Sequence, residues 1–113
     1  MEMKFHLHSD VFDIVKDGKK DIEVRLNDEK RRCLNIGDTL IFLKRPDDLE
    51  EIRVKVVGLT YYDNFDELVY HYDMERLYLS NYSKEDYLKE MERFYTLDDQ
   101  KKYGVVAIIF SKE

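Results

Sequence analysis

The segment that most constrains the fold is a nearly continuous apolar run, YGVVAIIF, at positions 103–110. A short apolar run of this kind is typical of a strand buried in the centre of a sheet. Its place at the end of the chain fits a strand that closes a small barrel. The run therefore predicts a sheet-based core.

Other stretches alternate between apolar and polar residues, as half-buried strands do. In MKFHLH the side chains of Met3, Phe5 and Leu7 share one face. DIEVRL, TLIFLKR and EIRVKVVGLTYY are predicted to form three further strands. Gly58 breaks the alternation in the last of them and predicts a bulge or a close backbone approach.

Helices are predicted between these strands. VFDIVK has helical spacing, with Ser9 as the expected N-cap and Gly18 as the residue that ends the helix. Asn27 is expected to cap a short turn. A helix over NFDELVYHY is predicted, and a stronger one begins at Ser83, with Asp86 at capping-box spacing. Its apolar stripe is predicted to consist of Tyr87, Leu88, Met91, Phe94 and Tyr95.

The element order is strand, helix, three strands, helices and a final strand. This order predicts an α+β fold, a small mixed or antiparallel β-barrel of about five strands with helices packed outside. A length of 113 residues predicts a single domain over 1–113.

Charge is unevenly distributed. The net charge is −6, yet residues 16–45 carry nine Lys and Arg against six Asp and Glu. Such polarity can steer an anionic ligand to one site, although a solvated, salt-bridged surface would have the same counts. No apolar run reaches the roughly 20 residues of a membrane span. No secretion signal is visible, and the single cysteine, Cys33, indicates a reducing, cytoplasmic location.

The segment GKKDIEVR holds the main candidate site. Glu23 and Arg25 share one face of a strand, and Lys20 precedes them across the turn after Gly18. If the three converge, the two cations could bind a phosphate or carbonyl oxygen, and Glu23 could accept a hydrogen bond or act as a base. Spacing alone fits equally an exposed Glu–Arg pair worth roughly 0.2–1 kcal/mol.

Two further groups could contact a nucleic acid. The basic triplet Lys30, Arg31 and Arg32 could bind a phosphate backbone, or could be a solvated helix face. Tyr61 and Tyr62 could stack a base, or one could lie in the core and the other on the surface.

Metal and thiol chemistry receive little support. His6 and His8 share a strand face, but no third ligand accompanies them, and surface histidines are expected. Cys33 has no identifiable partner histidine and is expected to be a buried structural residue. No metal and no cofactor are expected.

The motif G-x-K-x-x-E-x-R (Gly18, Lys20, Glu23, Arg25) is followed by a GD turn and an apolar strand. This pattern resembles the ASCH domain family, a branch of the PUA-like β-barrels, and the resemblance covers nearly the whole chain. It is closest in kind to the small stand-alone bacterial, archaeal and phage members. The resemblance implies a PUA-like barrel of five to six strands, with a cleft between barrel and helices that is lined by the motif and binds RNA or nucleotides.

One bacterial branch of that family is similar to amidohydrolases that remove the acyl group from acetylated cytidine. In that branch the lysine activates a threonine three residues later, and a glutamate from the helical segment assists. This chain keeps Lys20 but has Glu23 in place of the threonine. Glu75, Glu85 or Glu90 could supply a helical carboxylate.

The leading functional hypothesis is therefore binding of RNA or a modified nucleotide through Lys20, Glu23 and Arg25. A second hypothesis is hydrolysis of an acylated nucleoside, with Glu23 as general base and Lys20 stabilising the oxyanion. A third is a protein-interaction module that uses the Tyr-rich helices as its surface.

Overall fold

The computed structural model describes residues 1–72, 74–77 and 83–113, with the backbone alone for 74 and 75. Five strands and several helices follow one another along the chain. In order they are β1 (Glu2–Leu7), α1 (Ser9–Lys16), β2 (Ile22–Leu26), a 3-10 turn (Arg31–Cys33), β3 (Thr39–Lys44), β4 (Glu51–Tyr62), α2 (Phe65–His71), α3 (Met74–Leu77), α4 (Lys84–Phe94), α5 (Leu97–Tyr103) and β5 (Val105–Lys112).

The strands form one mixed sheet in the order β1-β3-β4-β5-β2. β1 pairs parallel with β3, and all the other pairs are antiparallel. β5 lies between β4 and β2, which confirms the predicted central strand. The sheet curls into a half-barrel whose edge strands are β1 and β2. The predicted α+β fold, with five strands in a mixed barrel-like sheet, is confirmed.

Two apolar clusters cover the two faces of the sheet. We call the face that packs against α1 the inner face; it includes Phe5, Phe42 and Ile108. The outer face packs against α2 to α5 and includes Ile22, Val24 and other buried residues. β5 contributes to both clusters, which explains its continuous apolar sequence.

The predicted end of α1, the irregularity in β4 and the cap of α4 are confirmed. Gly18 follows α1 with φ +78°, a conformation that glycine adopts cheaply. The register of β4 against β5 shifts between Val56 and Gly58, which is the predicted irregularity. Ser83 caps α4 by accepting a hydrogen bond from the Asp86 amide at 3.1 Å.

Three local expectations are wrong. Ser9 lies inside α1 rather than capping it, and the helix has no side-chain cap because His8 precedes it. Asn27 does not cap the following turn; Asp28 does, accepting from the Arg31 amide at 3.1 Å. Cys33 is exposed rather than buried, because the 3-10 turn that carries it buries none of its own residues.

None of the helices in the described part of the chain is long and apolar enough to cross a bilayer.

Candidate functional site: a buried Lys–Glu–Arg cleft

Lys20 is placed by the turn rather than by the strand. It follows Gly18 in the irregular segment between α1 and β2, so strand alternation does not govern its direction. Its side chain is 9% exposed. The Lys20 Nζ donates a hydrogen bond to the Leu77 carbonyl oxygen at 3.2 Å. The lysine therefore lies under α3 beside the start of β2.

Glu23 and Arg25 project from β2 onto the inner face of the sheet. Their partners on β5 are Ile108 and Val106, both members of the inner-face cluster. β2 is an edge strand, so this pair lies at the rim of the half-barrel. Glu23 is 8% exposed, and Arg25 is partly buried. The alternative of an exposed Glu–Arg pair that contributes little to stability therefore does not describe these two residues.

The Glu23 carboxylate has two local partners. Its Oε1 accepts from the Val24 amide at 3.1 Å, and its Oε2 lies 3.8 Å from the Arg25 Nη2. At 3.8 Å the Glu23 and Arg25 groups form an ion pair, but they are too far apart for a good hydrogen bond. The carboxylate is therefore held in place mainly by its own backbone and by charge.

Phe5 of β1 lies beneath the guanidinium groups at the rim. The Arg25 Cζ is 5.0 Å from the ring centroid of Phe5, and the Arg31 Cζ is 5.1 Å from the same centroid. Distances under about 6 Å are typical of cation–π contacts. One aromatic ring of the opposite edge strand thus supports two cations.

Helix α4 supplies two tyrosines to the same region. Tyr87 and Tyr95 influence the charges of Glu23 and Arg25, and both rings also pack on the outer-face cluster. Burial, followed by the nearby Glu23 charge, raises the pKa of the Tyr87 hydroxyl well above its usual range. The Tyr87 hydroxyl therefore stays protonated at neutral pH.

Two opposing effects act on the Glu23 pKa. Burial alone raises it, because a carboxylate loses hydration. The Arg25 and Lys20 charges and the Val24 hydrogen bond together outweigh burial and lower the pKa below 4.5. Glu23 is consequently a carboxylate anion at neutral pH.

The two cations respond differently to burial. Desolvation lowers the pKa of Lys20, and the neighbouring Glu23 charge only partly opposes it. For Arg25, desolvation is outweighed by Glu23 and by Tyr95, so its pKa is raised. Arg25 is the permanent cation of the site, and Lys20 is the cation that burial destabilises.

Hydrogen-bonding capacity remains unused in this cleft. The Arg25 Nε is buried and has no partner among the residues that the structure describes. Within the same residues Lys20 uses one of its three N–H donors. Because unpaired buried donors are uncommon, these groups are suited to bind oxygen atoms of a ligand.

The three residues of the basic triplet differ in their burial and in their partners. Arg31 is partly buried, pairs with Asp28 at 3.1 Å and joins the cleft through Phe5. Arg32 is exposed and bonds to the carbonyl oxygens of Asn27 and Tyr103. Lys30 is exposed. The triplet therefore borders the cleft on one side rather than lining it as a unit.

The two tyrosines at the end of β4 also differ in their surroundings. Tyr61 is 57% exposed, and Tyr62 packs on the outer-face cluster beside Tyr72. Tyr61 is paired with Val106, the same β5 residue that Arg25 flanks from the other side. Tyr61 and Arg25 thus end one row of the inner face.

The remaining candidates lie apart from the cleft. His6 and His8 are both exposed as expected, and the His6 Nδ1 lies 3.2 Å from Asp48. Glu85 accepts from the Tyr70 hydroxyl, and Glu90 pairs with an arginine of its own helix. The Glu75 side chain lies outside the described residues. Within the described ranges, no three His, Cys, Asp or Glu side chains are grouped to hold a metal.

Sequence reasoning missed Phe5, Tyr87 and Tyr95 as site residues. Phe5 was assigned to the apolar face of β1, and the two tyrosines to the apolar stripe of α4. Those assignments are correct for packing, and only the fold shows that the same rings border the charged residues. For the tyrosines, a hydroxyl within an apolar stripe was the available signal.

The comparisons with known proteins agree with this fold. The family model of the ASCH domain matches residues 5–113. The crystal structure of hypothetical protein PH0355 is similar, at 35% identity and a TM-score of 0.87 with both chains fully covered. The solution structure of protein PF0455 from Pyrococcus furiosus is similar at 33% identity and a TM-score of 0.78, covering 99% of this chain and 97% of that one. No curated protein matches.

The family match extends over nearly the whole chain and includes all four motif positions, from Gly18 to Arg25. A PUA-like half-barrel places that motif at the rim between edge strand and helices. The chain belongs to the ASCH domain family.

Proposed function

We propose that this ASCH domain binds RNA or a modified nucleotide in the cleft formed by Lys20, Glu23 and Arg25. The observation that carries the proposal is the burial of Lys20 and Glu23 beside the partly buried Arg25, with donors of both cations left unpaired. Burying charge costs several kcal/mol per ion, and packing alone would favour apolar residues there. Such an arrangement is typical of a site that is completed by a ligand.

Each residue has a distinct role in this proposal. The Lys20 ammonium and the Arg25 Nε would donate to phosphate or base carbonyl oxygens. Glu23, as an anion, would accept from a base N–H or a ribose hydroxyl. Lys30, Arg31 and Arg32 would extend the contact along the phosphate backbone without reading sequence.

The charge state of Glu23 favours binding over hydrolysis. A general base working near neutral pH needs a pKa raised toward that range. The pKa of Glu23 is instead lowered, since Arg25 and Lys20 stabilise its charged form. This supports the role of hydrogen-bond acceptor, and hydrolysis of an acylated nucleoside becomes an outcome of the test.

The test uses neutral replacements, because reversing a buried charge would unfold the domain. Lys20→Met and Arg25→Met each remove donors while keeping most of the volume. Affinity is measured by fluorescence anisotropy with labelled single-stranded RNA, and by calorimetry with nucleosides including acetylated cytidine, at low salt. We expect each variant to weaken binding by about tenfold or more, the usual value of hydrogen bonds to charged groups.

Lys19→Met is the matched control, because Lys19 is exposed and adjacent in sequence. It should leave affinity within about twofold, and circular dichroism melts confirm that all variants are folded. Absence of RNA and nucleoside affinity in the wild-type protein would refute the proposal. Acetate release that Glu23→Gln abolishes would establish hydrolysis instead. A protein captured equally well by wild type and both variants, without nucleic-acid affinity, would favour an interaction module.

A further inference from the structure

A second concave surface lies at the other end of the Tyr61–Val106–Arg25 row. It is a groove of about 820 Å³ between the end of β4 and α5, bordered by Asn27, Tyr61, Lys102 and Tyr103. A smaller cavity of about 400 Å³ adjoins it and is lined by Asn27, Arg32 and Tyr61. Volumes in this range hold ligands of nucleotide size.

Asn27 is a polar residue that lines both cavities. Its backbone is held from both sides: the amide donates to the Gly104 carbonyl at 2.9 Å, and its carbonyl accepts from the Arg32 Nε at 2.9 Å. Its side-chain Oδ1 is buried and has no partner within the described part of the chain. A carboxamide that is rigidly placed and unsatisfied can pair with a donor and acceptor of a ligand.

Tyr61 offers an exposed aromatic ring beside this carboxamide. Its side chain is one of the most exposed large aromatic groups described, and it lines both cavities. A flat exposed ring is the surface on which proteins stack nucleobases. The adjacent ring of Tyr103 is already occupied by cations, with the Arg32 Cζ at 5.7 Å and the Lys102 Nζ at 5.0 Å from its centroid.

Cations line both cavities. Arg32 uses Nε and Nη2 on backbone carbonyls, which leaves further N–H groups of its guanidinium for an anion. A hydrogen bond with Tyr103 raises the pKa of Lys102, which is charged at neutral pH. Asp63 and Glu67 also line the groove, and the Glu67 Oε2 accepts from the Asp63 amide. A phosphate is therefore favoured near the cations, which are Arg32, Lys101 and Lys102.

We infer that this groove binds an adenine nucleotide, with the base against Tyr61, its amine and ring nitrogen on the Asn27 carboxamide, and its phosphate near Arg32 and Lys102. The asparagine amide matches adenine because it offers one acceptor and one donor to the N6 and N7 positions. The groove shares Arg32 with the basic triplet that borders the Lys–Glu–Arg cleft, but its base site at Asn27 and Tyr61 does not depend on ligand binding in the cleft.

The test is an NMR titration of isotope-labelled protein with AMP, GMP, CMP and UMP. We expect AMP to shift the Asn27 side-chain amide and the Tyr61 ring, and to bind at least about fivefold more tightly than the other three, as one bidentate base contact provides. Tyr61→Ala should weaken AMP binding about tenfold through lost stacking, and Tyr61→Phe should retain it. Asn27→Asp, which replaces the donor by a second acceptor, should abolish the preference for adenine.

Tyr70→Ala is the matched control, because Tyr70 is an equally exposed tyrosine on α2 outside the groove. Repeating the titration in Lys20→Met separates the two proposals, since the Asn27 shifts should persist when cleft binding is lost. A short oligoadenylate that binds more tightly than AMP would assign the site to RNA, and the reverse order to free nucleotides. AMP that leaves Asn27 unshifted at millimolar concentration, or binds Tyr61→Ala equally well, would overturn the inference.

Discussion

Glu23 is the anion that lies beside two cations, the buried Lys20 and the partly buried Arg25. Arg25 and Lys20 both stabilise its charge, and its pKa is lowered in the folded state. In the unfolded chain the same carboxyl titrates near 4.5. The unfolded state therefore binds more protons than the folded state at mildly acidic pH, and stability rises with pH across that range.

Glu23→Gln should consequently make the free energy of unfolding depend less on pH in the acidic range. At neutral pH the variant leaves the two cations without a counter-charge, and we expect its free energy of unfolding to fall by about 3 kcal/mol. Below pH 4.5 the wild type progressively loses the same contribution as Glu23 becomes protonated, so the two proteins should converge. Urea unfolding at a series of pH values measures both effects.

Glu92→Gln provides the comparison for this measurement, because Glu92 is exposed on α4. It should change stability by no more than about 0.5 kcal/mol at any pH. A Glu23→Gln variant that matched Glu92→Gln throughout would show that the carboxylate does not hold the cleft together.

At this scale the sequence predicted charged residues that lie close together in the structure, but not all of their surroundings. Period-two alternation correctly placed Glu23 and Arg25 together. It could not place Lys20, whose direction comes from the turn after Gly18. Asn27 was missed as a polar site residue, because nothing local distinguishes a capping asparagine from one whose side chain is left unpaired.

Among the elements, the junction between α5 and β5 has the strictest backbone requirement. Gly104 ends α5 with φ +71° and ψ −175°, a region essentially restricted to glycine. A Cβ at this position would lie 3.1 Å from the Tyr62 carbonyl oxygen of the neighbouring strand. The junction therefore limits both conformation and space.

We expect Gly104→Ala to lower the free energy of unfolding by about 2–3 kcal/mol. Gly37→Ala is the matched variant, since Gly37 also has positive φ but a Cβ there meets nothing within 4 Å. It should cost only about 1–2 kcal/mol, the conformational penalty alone. Thermal melts of the two variants test this; equal losses would mean that the contact with Tyr62 contributes nothing.

Elements with strong periodicity were predicted well, and those without it were not. The alternation of β1 and β4 has a direct structural counterpart. Most of the apolar stripe of α4 packs on the outer-face cluster, but Phe94 is exposed. Helix α5, with the sequence LDDQKKY, has no apolar stripe and was missed. It is held instead by the Thr96 cap and by the buried Gln100, which accepts from the Phe65 amide. Such long-range side-chain contacts produce no periodic pattern in the sequence.

For the whole molecule, charge polarity bears on ligand capture. The basic segment of the sequence, residues 16–45, includes the cleft and the arginines at its border, while the remaining chain is acidic. Under the proposed function, this polarity would attract a polyanion to one region and repel it elsewhere. RNA affinity should fall linearly on a logarithmic plot against salt concentration.

Lys30→Ala should reduce the slope of that plot by about one, the value for one lost phosphate contact. Lys55→Ala, an equally exposed lysine on β4, should leave the slope unchanged. The slopes follow from anisotropy titrations at several salt concentrations. An identical slope in Lys30→Ala would remove the basic triplet from the binding surface.

The curl of the sheet was the least predictable property at this scale. The sequence indicated five strands and external helices, which the structure confirms. It did not show that the edge strands β1 and β2 approach closely enough for Phe5 to contact Arg25. That contact depends on the accumulated twist of the whole sheet, which no single segment encodes.

The row Tyr61–Val106–Arg25 has a consequence for ligand length. Its two ends are separated by two strand spacings, or roughly 10 Å. Neighbouring nucleotides of one strand could therefore occupy the groove and the cleft together. In that case the second contact forms at high effective concentration, and avidity would make a short oligomer bind far more tightly than either mononucleotide. The length of the row would then set the shortest RNA that can contact the groove and the cleft together.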